Sequence, residues 1–179
     1  MSKKVLVIST SVRPRSNSET LARAFARGAE EAGNEVEFIS LKGKKLAFCT
    51  GCVACRKLGH CAIPDDTLPI TESVRSADVV AFATPIYFYE MCGQMKVLLD
   101  RFNPLFGQEC AVRDVYLLTT ATEKEEWVTK GAEQGLLGWI KCRPGSRLVK
   151  TFFCGGVAGP GAIEGDPKLD EAYELGKSV

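Results

Sequence analysis

The sequence predicts an α/β protein with an open, doubly wound parallel sheet that carries helices on both faces. Five short apolar runs, several of them nearly unbroken, have the length of buried strands, at residues 5–8, 36–39, 79–83, 115–118 and 148–153. Segments of helical period follow these runs along the chain. Strand-then-helix alternation produces parallel strands, and runs without polar alternation are typical of strands that are covered on both faces.

Each helix is indicated by an apolar stripe or by a start or stop signal. In the first, Leu21, Phe25 and Ala29 recur at helical spacing, and Gly33-Asn34 ends the helix. The later stripes are Ile70 and Val74, then Met91, Met95, Leu98, Leu99 and Phe102, then Trp127, Leu136 and Ile140. A last helix is expected to open at Asp166-Pro167, because Asp is a good N-cap and Pro suits the first helical position. Five strand-then-helix units result.

Length and composition limit the class of function. With 179 residues, 45% of them hydrophobic, the chain can bury a core of its own, and we expect one domain over residues 1–179. The net charge of +1 gives no basic field, so neither nucleic acid nor a membrane is expected as a partner. No apolar run is long enough for a secretory signal or a membrane span. A cytoplasmic location is expected, where the eight cysteines would be thiols, ligands or redox groups.

The loop after the first strand is dense in groups that bind anions. Residues 9–18 read STSVRPRSNS, which places five hydroxyls, one amide and two guanidinium groups before a predicted helix. Helix N-termini bind anions through free N–H groups, and arginine forks onto phosphate oxygens, so this loop predicts a phosphate site. It contains no glycine and therefore matches neither the P-loop nor the dinucleotide fingerprint. Ser16 and Glu19 also form an S-x-x-E capping box, which is the alternative explanation of those two residues.

The loop after the third strand offers a flat apolar surface. Residues 84–89 read TPIYFY, in which the proline ends the strand and three aromatic residues follow. At the carboxyl edge of such a sheet, aromatic side chains can hold a ring system. Aromatic residues beside a helix more often belong to the core, and that alternative stays open from the residues alone.

Together these two loops resemble the NAD(P)H-dependent FMN reductases. The matching segments are Ser11 to Ser18 and Pro85 to Phe88, the latter followed by QMKVLLDR at 94–101. The resemblance implies a flavodoxin-like fold of five parallel strands in the order 2-1-3-4-5. It implies that the FMN phosphate is held by Ser11, Arg13, Ser16, Asn17 and Ser18. Pro85, Ile86, Tyr87 and Phe88 would line the flavin ring, and Thr120, after the fourth strand, would complete the pocket.

The resemblance has two further implications. Asp100 and Arg101 are expected to be structural, for example in an ion pair or a subunit contact. Relatives form flavin pockets at or near subunit contacts, so a homodimer or homotetramer is expected.

Four of the eight cysteines lie in the long loop after the second strand. Cys49, Cys52, Cys55 and Cys61 have the spacing C-x2-C-x2-C-x5-C. Four thiolates so close along the chain suit a [4Fe-4S] cluster or a tetrahedral zinc. The pattern resembles that of the iron-sulfur flavoproteins, yet it also resembles that of cluster-free reductases of the same family. Cluster, free thiols and zinc therefore stay open as alternatives.

The function that this sequence predicts is an FMN-dependent NAD(P)H oxidoreductase that passes hydride or electrons through flavin to a quinone, a flavin or another small acceptor. The flavin would carry the chemistry, so no catalytic side chain is expected and the single histidine is no handicap. One alternative is an iron-sulfur flavoprotein that carries electrons between redox partner proteins, with a [4Fe-4S] cluster beside FMN. A second alternative is a non-redox zinc-binding module.

Overall fold

The computed structural model describes residues 2–179 as a twisted sheet with helices on both faces. The strands are β1 (Lys4–Ser9), β2 (Glu35–Ser40), β3 (Val79–Tyr87), β4 (Glu90–Met91), β5 (Asp114–Thr120) and β6 (Arg147–Cys154). The helices are α1 (Asn17–Glu31), α2 (Cys55–Leu58), α3 (Thr67–Ser76), α4 (Gly93–Arg101), α5 (Lys130–Lys141) and α6 (Lys168–Lys177). All five predicted apolar runs lie within strands. In the described part of the chain, no helix combines the length and the apolar character that crossing a membrane requires.

The sheet has six strands, so the predicted count of five is wrong. Five strands are parallel and lie in the order β2-β1-β3-β5-β6, which is the predicted order of the parallel strands. The sixth, β4, pairs antiparallel with the end of β3. The chain reverses through Phe88 and Tyr89, which both have positive φ. Such two-residue turns usually contain Asn-Gly, and without that signal a hairpin is not expected from the residues alone.

Both faces of the sheet are buried, which explains the unbroken apolar runs. In β1, Leu6 and Ile8 pack with α3, α4 and α5, whereas Val5 and Val7 pack with α1 and α6. Consecutive side chains of a strand point to opposite faces, so a strand that is covered twice needs apolar residues at every position.

The helix caps follow the predicted signals with one exception. The Asp166 carboxylate accepts the Lys168 N–H at 2.8 Å, as expected of an N-cap. Ser16 Oγ accepts the Glu19 N–H at 3.3 Å, which is half of the predicted capping box. The Glu19 carboxylate does not return to Ser16, because it accepts from Arg23 and Ser40 instead.

Helices α1 and α6 cross at glycine, where their backbones touch. A Cβ at Gly28 would lie well inside van der Waals contact with the Tyr173 carbonyl and 2.9 Å from Lys177 N. Both obstacles are backbone atoms and cannot rotate away. We expect Gly28→Ala to lower the free energy of unfolding by about 1–3 kcal/mol, because overpacking outweighs the gain in helix propensity.

Gly138 is the matched control for that change, since it also lies in a helix interior but has open space around its Cα. Gly138→Ala should raise the free energy of unfolding by about 0.5–1 kcal/mol. Urea unfolding of both variants checks the pair. Equal effects of the two substitutions would contradict the close crossing of α1 and α6.

Candidate functional site

A cleft of about 100 Å³ opens at the carboxyl edge of the sheet, among the ends of β3 and β5 and the segments that follow β1 and β6. It brings together eight of the ten residues predicted for FMN: Ser11, Arg13, Ser16, Asn17, Pro85, Ile86, Tyr87 and Thr120. Two predicted residues do not line it. Ser18 lies beside it, with its hydroxyl 3.1 Å from Ser16 Oγ, and Phe88 projects fully into solvent.

The end of the cleft formed by the β1 loop presents free hydrogen-bond donors. The backbone N–H groups of Ser16, Asn17 and Ser18 open helix α1, and no acceptor within residues 2–179 pairs with them. Ser11 and Ser16 add buried hydroxyls. Unpaired N–H groups and the positive end of a helix dipole together form a site for an anion.

Two predicted phosphate ligands hold the wall of the cleft in this structure. The Asn17 amide donates to the carbonyls of Val157 and Gly159 at 3.0 and 2.9 Å, and its oxygen accepts the Ile163 N–H at 3.3 Å. The Arg13 guanidinium donates to the carbonyls of Ala158 and Gly159 at 3.1 and 3.3 Å. Both side chains therefore tie the loop after β6 to the loop after β1.

The opposite end of the cleft is apolar and is formed by the β3–β4 hairpin. Ile86 is buried and Tyr87 is half exposed at the rim. Tyr89 stacks on Trp127, with 5.0 Å between ring centroids. Its carbonyl lies so close to Gly131 of α5 that no side chain would fit there. The hairpin is thus fixed against α5, although its tip is exposed.

Four further residues line the cleft: Ala121, Thr122, Val157 and Ala158. Two follow β5 directly and two lie in the glycine-rich segment after β6. The loops are joined by the Val157 N–H, which donates to the Ala121 carbonyl at 2.9 Å. Their small side chains carry no chemical motif. The signal that points to them in the sequence is their position after strands that end at the carboxyl edge of the sheet.

The four clustered cysteines line a second, small cavity of about 20 Å³. Asn103 Nδ2 donates to Cys55 Sγ at 3.4 Å. Hydrogen bonds from the Ala54 N–H and the Thr50 hydroxyl lower the pKa of the exposed Cys52 thiol. Within residues 2–179, no three His, Cys, Asp or Glu side chains converge on a point where a metal ion would bind. The cavity shares no lining residue with the cleft.

A buried ion pair attaches this cysteine loop to α4. The Arg101 guanidinium forks onto the Asp65 carboxylate at 2.6 and 3.0 Å, and it also donates to the carbonyls of Ala47 and Ile63. Burial raises the pKa of Asp65, but hydrogen bonds from Arg101, Thr67 and Ala47 outweigh burial and lower it to about 2. The structural role expected of Arg101 is thus an ion pair. Asp100 instead pairs with Lys96.

Backbone strain marks the same loops. Arg15, Val53, Phe88 and Tyr89 are the non-glycine residues with positive φ in the described part of the chain. They lie in the β1 loop, in the cysteine loop and at the hairpin tip. Positive φ is a true outlier for β-branched and bulky residues, and such strain concentrates at functional sites.

The sequence of this chain is similar to those of known proteins. Residues 3–133 match the family described as NADPH-dependent FMN reductase. An iron-sulfur flavoprotein of Methanocaldococcus jannaschii is 41% identical over 102 residues, which are 57% of this chain and 53% of that protein. An iron-sulfur flavoprotein of Archaeoglobus fulgidus is 28% identical over 181 residues, covering 98% of this chain and 78% of that protein. The match to the first relative thus spans about half of its length.

Solved structures share the fold. An NAD(P)H:quinone oxidoreductase from Methanothermobacter marburgensis superposes with a TM-score of 0.74 at 20% identity, covering 99% of this chain and 98% of that one. An azoreductase from Bacillus anthracis superposes with a TM-score of 0.71 at 16% identity, covering 100% of both chains. At such identities the likeness establishes the flavodoxin-like fold alone. Because the family match covers most of the chain, this protein belongs to the NADPH-dependent FMN reductase family.

Proposed function

We propose that the chain binds FMN in the cleft and transfers reducing equivalents from NAD(P)H to a small acceptor such as a quinone or a free flavin. The observation that carries this proposal is the polarity of the cleft. One end presents the unpaired N–H groups of Ser16, Asn17 and Ser18, and the other end is the apolar rim of Ile86 and Tyr87. FMN has the same polarity, with a phosphate at one end and a flat ring at the other.

The residues of the cleft would have different roles in binding FMN. The hydroxyls of Ser11 and Ser16 and the N–H groups of α1 would hold the phosphate, and Ser18 would act through its backbone. Asn17 and Arg13 would keep the β6 loop in place, through the hydrogen bonds that they make in this structure. Pro85, Ile86, Tyr87 and Thr120 would surround the ring. Phe88, fully exposed at the hairpin tip, would reach the ring only from outside the cleft.

The described lining of the cleft offers no carboxylate, imidazole, amine or thiol as a general acid or base. None of its described lining residues is an Asp, Glu, His, Lys or Cys. FMN, when bound, supplies hydride acceptance and electron transfer, and the protein supplies binding and orientation. Because no Asp or Glu is among the described lining residues, the phosphate of FMN would not be repelled by a carboxylate there.

Binding and turnover test this proposal. The protein should bind FMN at one per chain and should then oxidise NADH or NADPH when a quinone is added. A protein that binds FMN but oxidises neither nucleotide would refute the reductase and leave only the binding site.

We further propose that the protein is cytoplasmic and forms a homodimer or homotetramer. Light scattering would measure the mass of that assembly.

A second candidate function, an electron carrier with an iron-sulfur cluster, rests on the cysteine cavity. All four predicted ligands line one cavity, and the buried Arg101 Nε beside it has no hydrogen-bond partner within residues 2–179. Thiolates suit iron, and N–H groups around a cluster bind its sulfur atoms. Two relatives named iron-sulfur flavoproteins support this candidate.

Iron analysis separates the two candidates. After anaerobic purification, we expect Cys52→Ser to remove iron and acid-labile sulfide from a carrier while leaving the flavin absorption in place. Cys142→Ser is the control, because Cys142 is an exposed thiol outside the cavity. A wild-type protein without iron and sulfide would rule out the cluster. Loss of flavin in Cys52→Ser would contradict the separation of the two cavities.

A further inference from the structure

A third cavity lies away from the cleft, between the C-terminal ends of α4 and α5. It measures about 180 Å³, and its lining includes Phe102, Phe106, Trp139 and Arg143. Both helices start near the carboxyl edge of the sheet and run back, so their C-terminal ends lie at the opposite edge. An apolar cavity of about 150 Å³ can bind benzene, so this cavity has room for a single small ring.

Arg143 is a buried cation whose donors lack partners. Its side chain is 5% exposed, and its buried Nε and Nη2 have no acceptor within residues 2–179. Arg101 is the internal comparison. It is equally buried, yet its two terminal nitrogens donate four hydrogen bonds. Leaving buried charged donors unpaired costs several kcal/mol.

The surroundings of Arg143 stabilise its charge without accepting its N–H groups. The guanidinium carbon lies 4.6 Å from the centroid of the Trp139 ring, which is a cation–π contact. The C-terminus of α5 adds a favourable dipole. Asp100, the one carboxylate among the described lining residues, is 2.6 Å from Lys96 Nζ instead. Within the described chain, the N–H groups of Arg143 therefore have no acceptor, and a bound ligand would supply one.

We propose that this cavity binds a small aromatic carboxylate, whose carboxylate pairs with Arg143 and whose ring lies among Phe102, Phe106 and Trp139. A guanidinium presents parallel donors that match the two oxygens of a carboxylate. The apolar walls favour a ring over a free inorganic anion. This site does not depend on the cleft, and its ligand class does not depend on flavin chemistry.

Calorimetric titration of the full chain with benzoate tests this proposal. We expect benzoate to bind at one per chain, and the neutral isostere benzamide to bind about 10- to 100-fold more weakly, because a charge-assisted hydrogen bond is lost. Acetate should bind at least about tenfold more weakly than benzoate, because it cannot fill the aromatic walls. These comparisons use the unaltered protein, so they stand even if a variant fails to fold.

The variant Arg143→Met keeps the apolar stem and should lose benzoate binding by a similar factor. Arg27→Met is the matched control, because exposed Arg27 also lies over an aromatic ring, that of Tyr173 at 5.4 Å. Three results would each overturn the proposal: no benzoate binding, unchanged binding by Arg143→Met, or acetate binding as tightly as benzoate. Binding that appears only in Asp100→Asn would overturn it as well, since Asp100 would then be the natural partner of Arg143.

Discussion

Ser16→Asp should lower the affinity for FMN by about 100-fold or more, while leaving riboflavin affinity within about threefold. Ser16 is the N-cap of α1, and Asp caps helices as well as Ser does, so the fold should be kept. The new carboxylate would compete for the N–H groups that we assign to the phosphate, and it would repel the phosphate. Riboflavin has no phosphate, so neither effect should change its affinity.

Ser16→Asn is the matched control for that change. It has the same bulk and also caps helices, but it carries no charge. Fluorescence titration of both variants with FMN and with riboflavin measures the four affinities. If Ser16→Asp binds FMN as tightly as Ser16→Asn does, the helix N-terminus is not the phosphate site.

Asp65→Asn should lower the free energy of unfolding by about 3–5 kcal/mol, because it leaves Arg101 charged and buried without its anion. The Arg101 side chain is 0% exposed, so water cannot replace the carboxylate. Asp66→Asn is the control. Asp66 is the next residue and makes a long, half-exposed ion pair with Lys44 at 3.8 Å, which contributes at most about 1 kcal/mol. Urea unfolding at neutral pH measures both losses, and equal losses would contradict the role of the buried pair.

The same ion pair predicts how stability depends on pH. The pKa of Asp65 is about 2 in the folded protein and lies near its ordinary value of 3.8 in the unfolded chain. The unfolded state therefore takes up a proton first as the pH falls. This contribution, about 2 kcal/mol, is complete above pH ~4 and is lost as the pH falls towards ~2. Asp65→Asn should lack this part of the acid dependence.

The parallel strands and the loops that line the cleft could be predicted from local signals, whereas the order of the strands follows from the family resemblance. Unbroken apolar runs such as Val5 to Ile8 reflect burial on both faces, and a polar loop before a helix marks an anion site. The hairpin at Phe88 and Tyr89 could not be predicted, because its turn residues lack the usual Asn-Gly signal and are held by packing against α5.

The roles of individual side chains were harder to predict than their positions. Asn17 and Arg13 lie at the cleft as expected, but their contacts are with carbonyls of the β6 loop, 140 and 145 residues away. Arg101 was expected to have a structural role, but its partner could not be identified from the sequence. That partner is Asp65, which the path of the cysteine loop brings next to Arg101. Arg143 carries no motif at all. Such contacts depend on tertiary packing, which the spacing of residues along the chain does not encode.

Anaerobic reduction tests the central proposal most directly. The protein is loaded with FMN, oxygen is removed, and one equivalent of NADPH or NADH is added while the visible absorption of the flavin is followed. We predict rapid loss of the oxidised-flavin absorption with at least one of the nucleotides and its return when a quinone is added. Bound FMN that keeps its absorption with both nucleotides would contradict a reductase, and a chain that binds no FMN would contradict the assignment of the cleft.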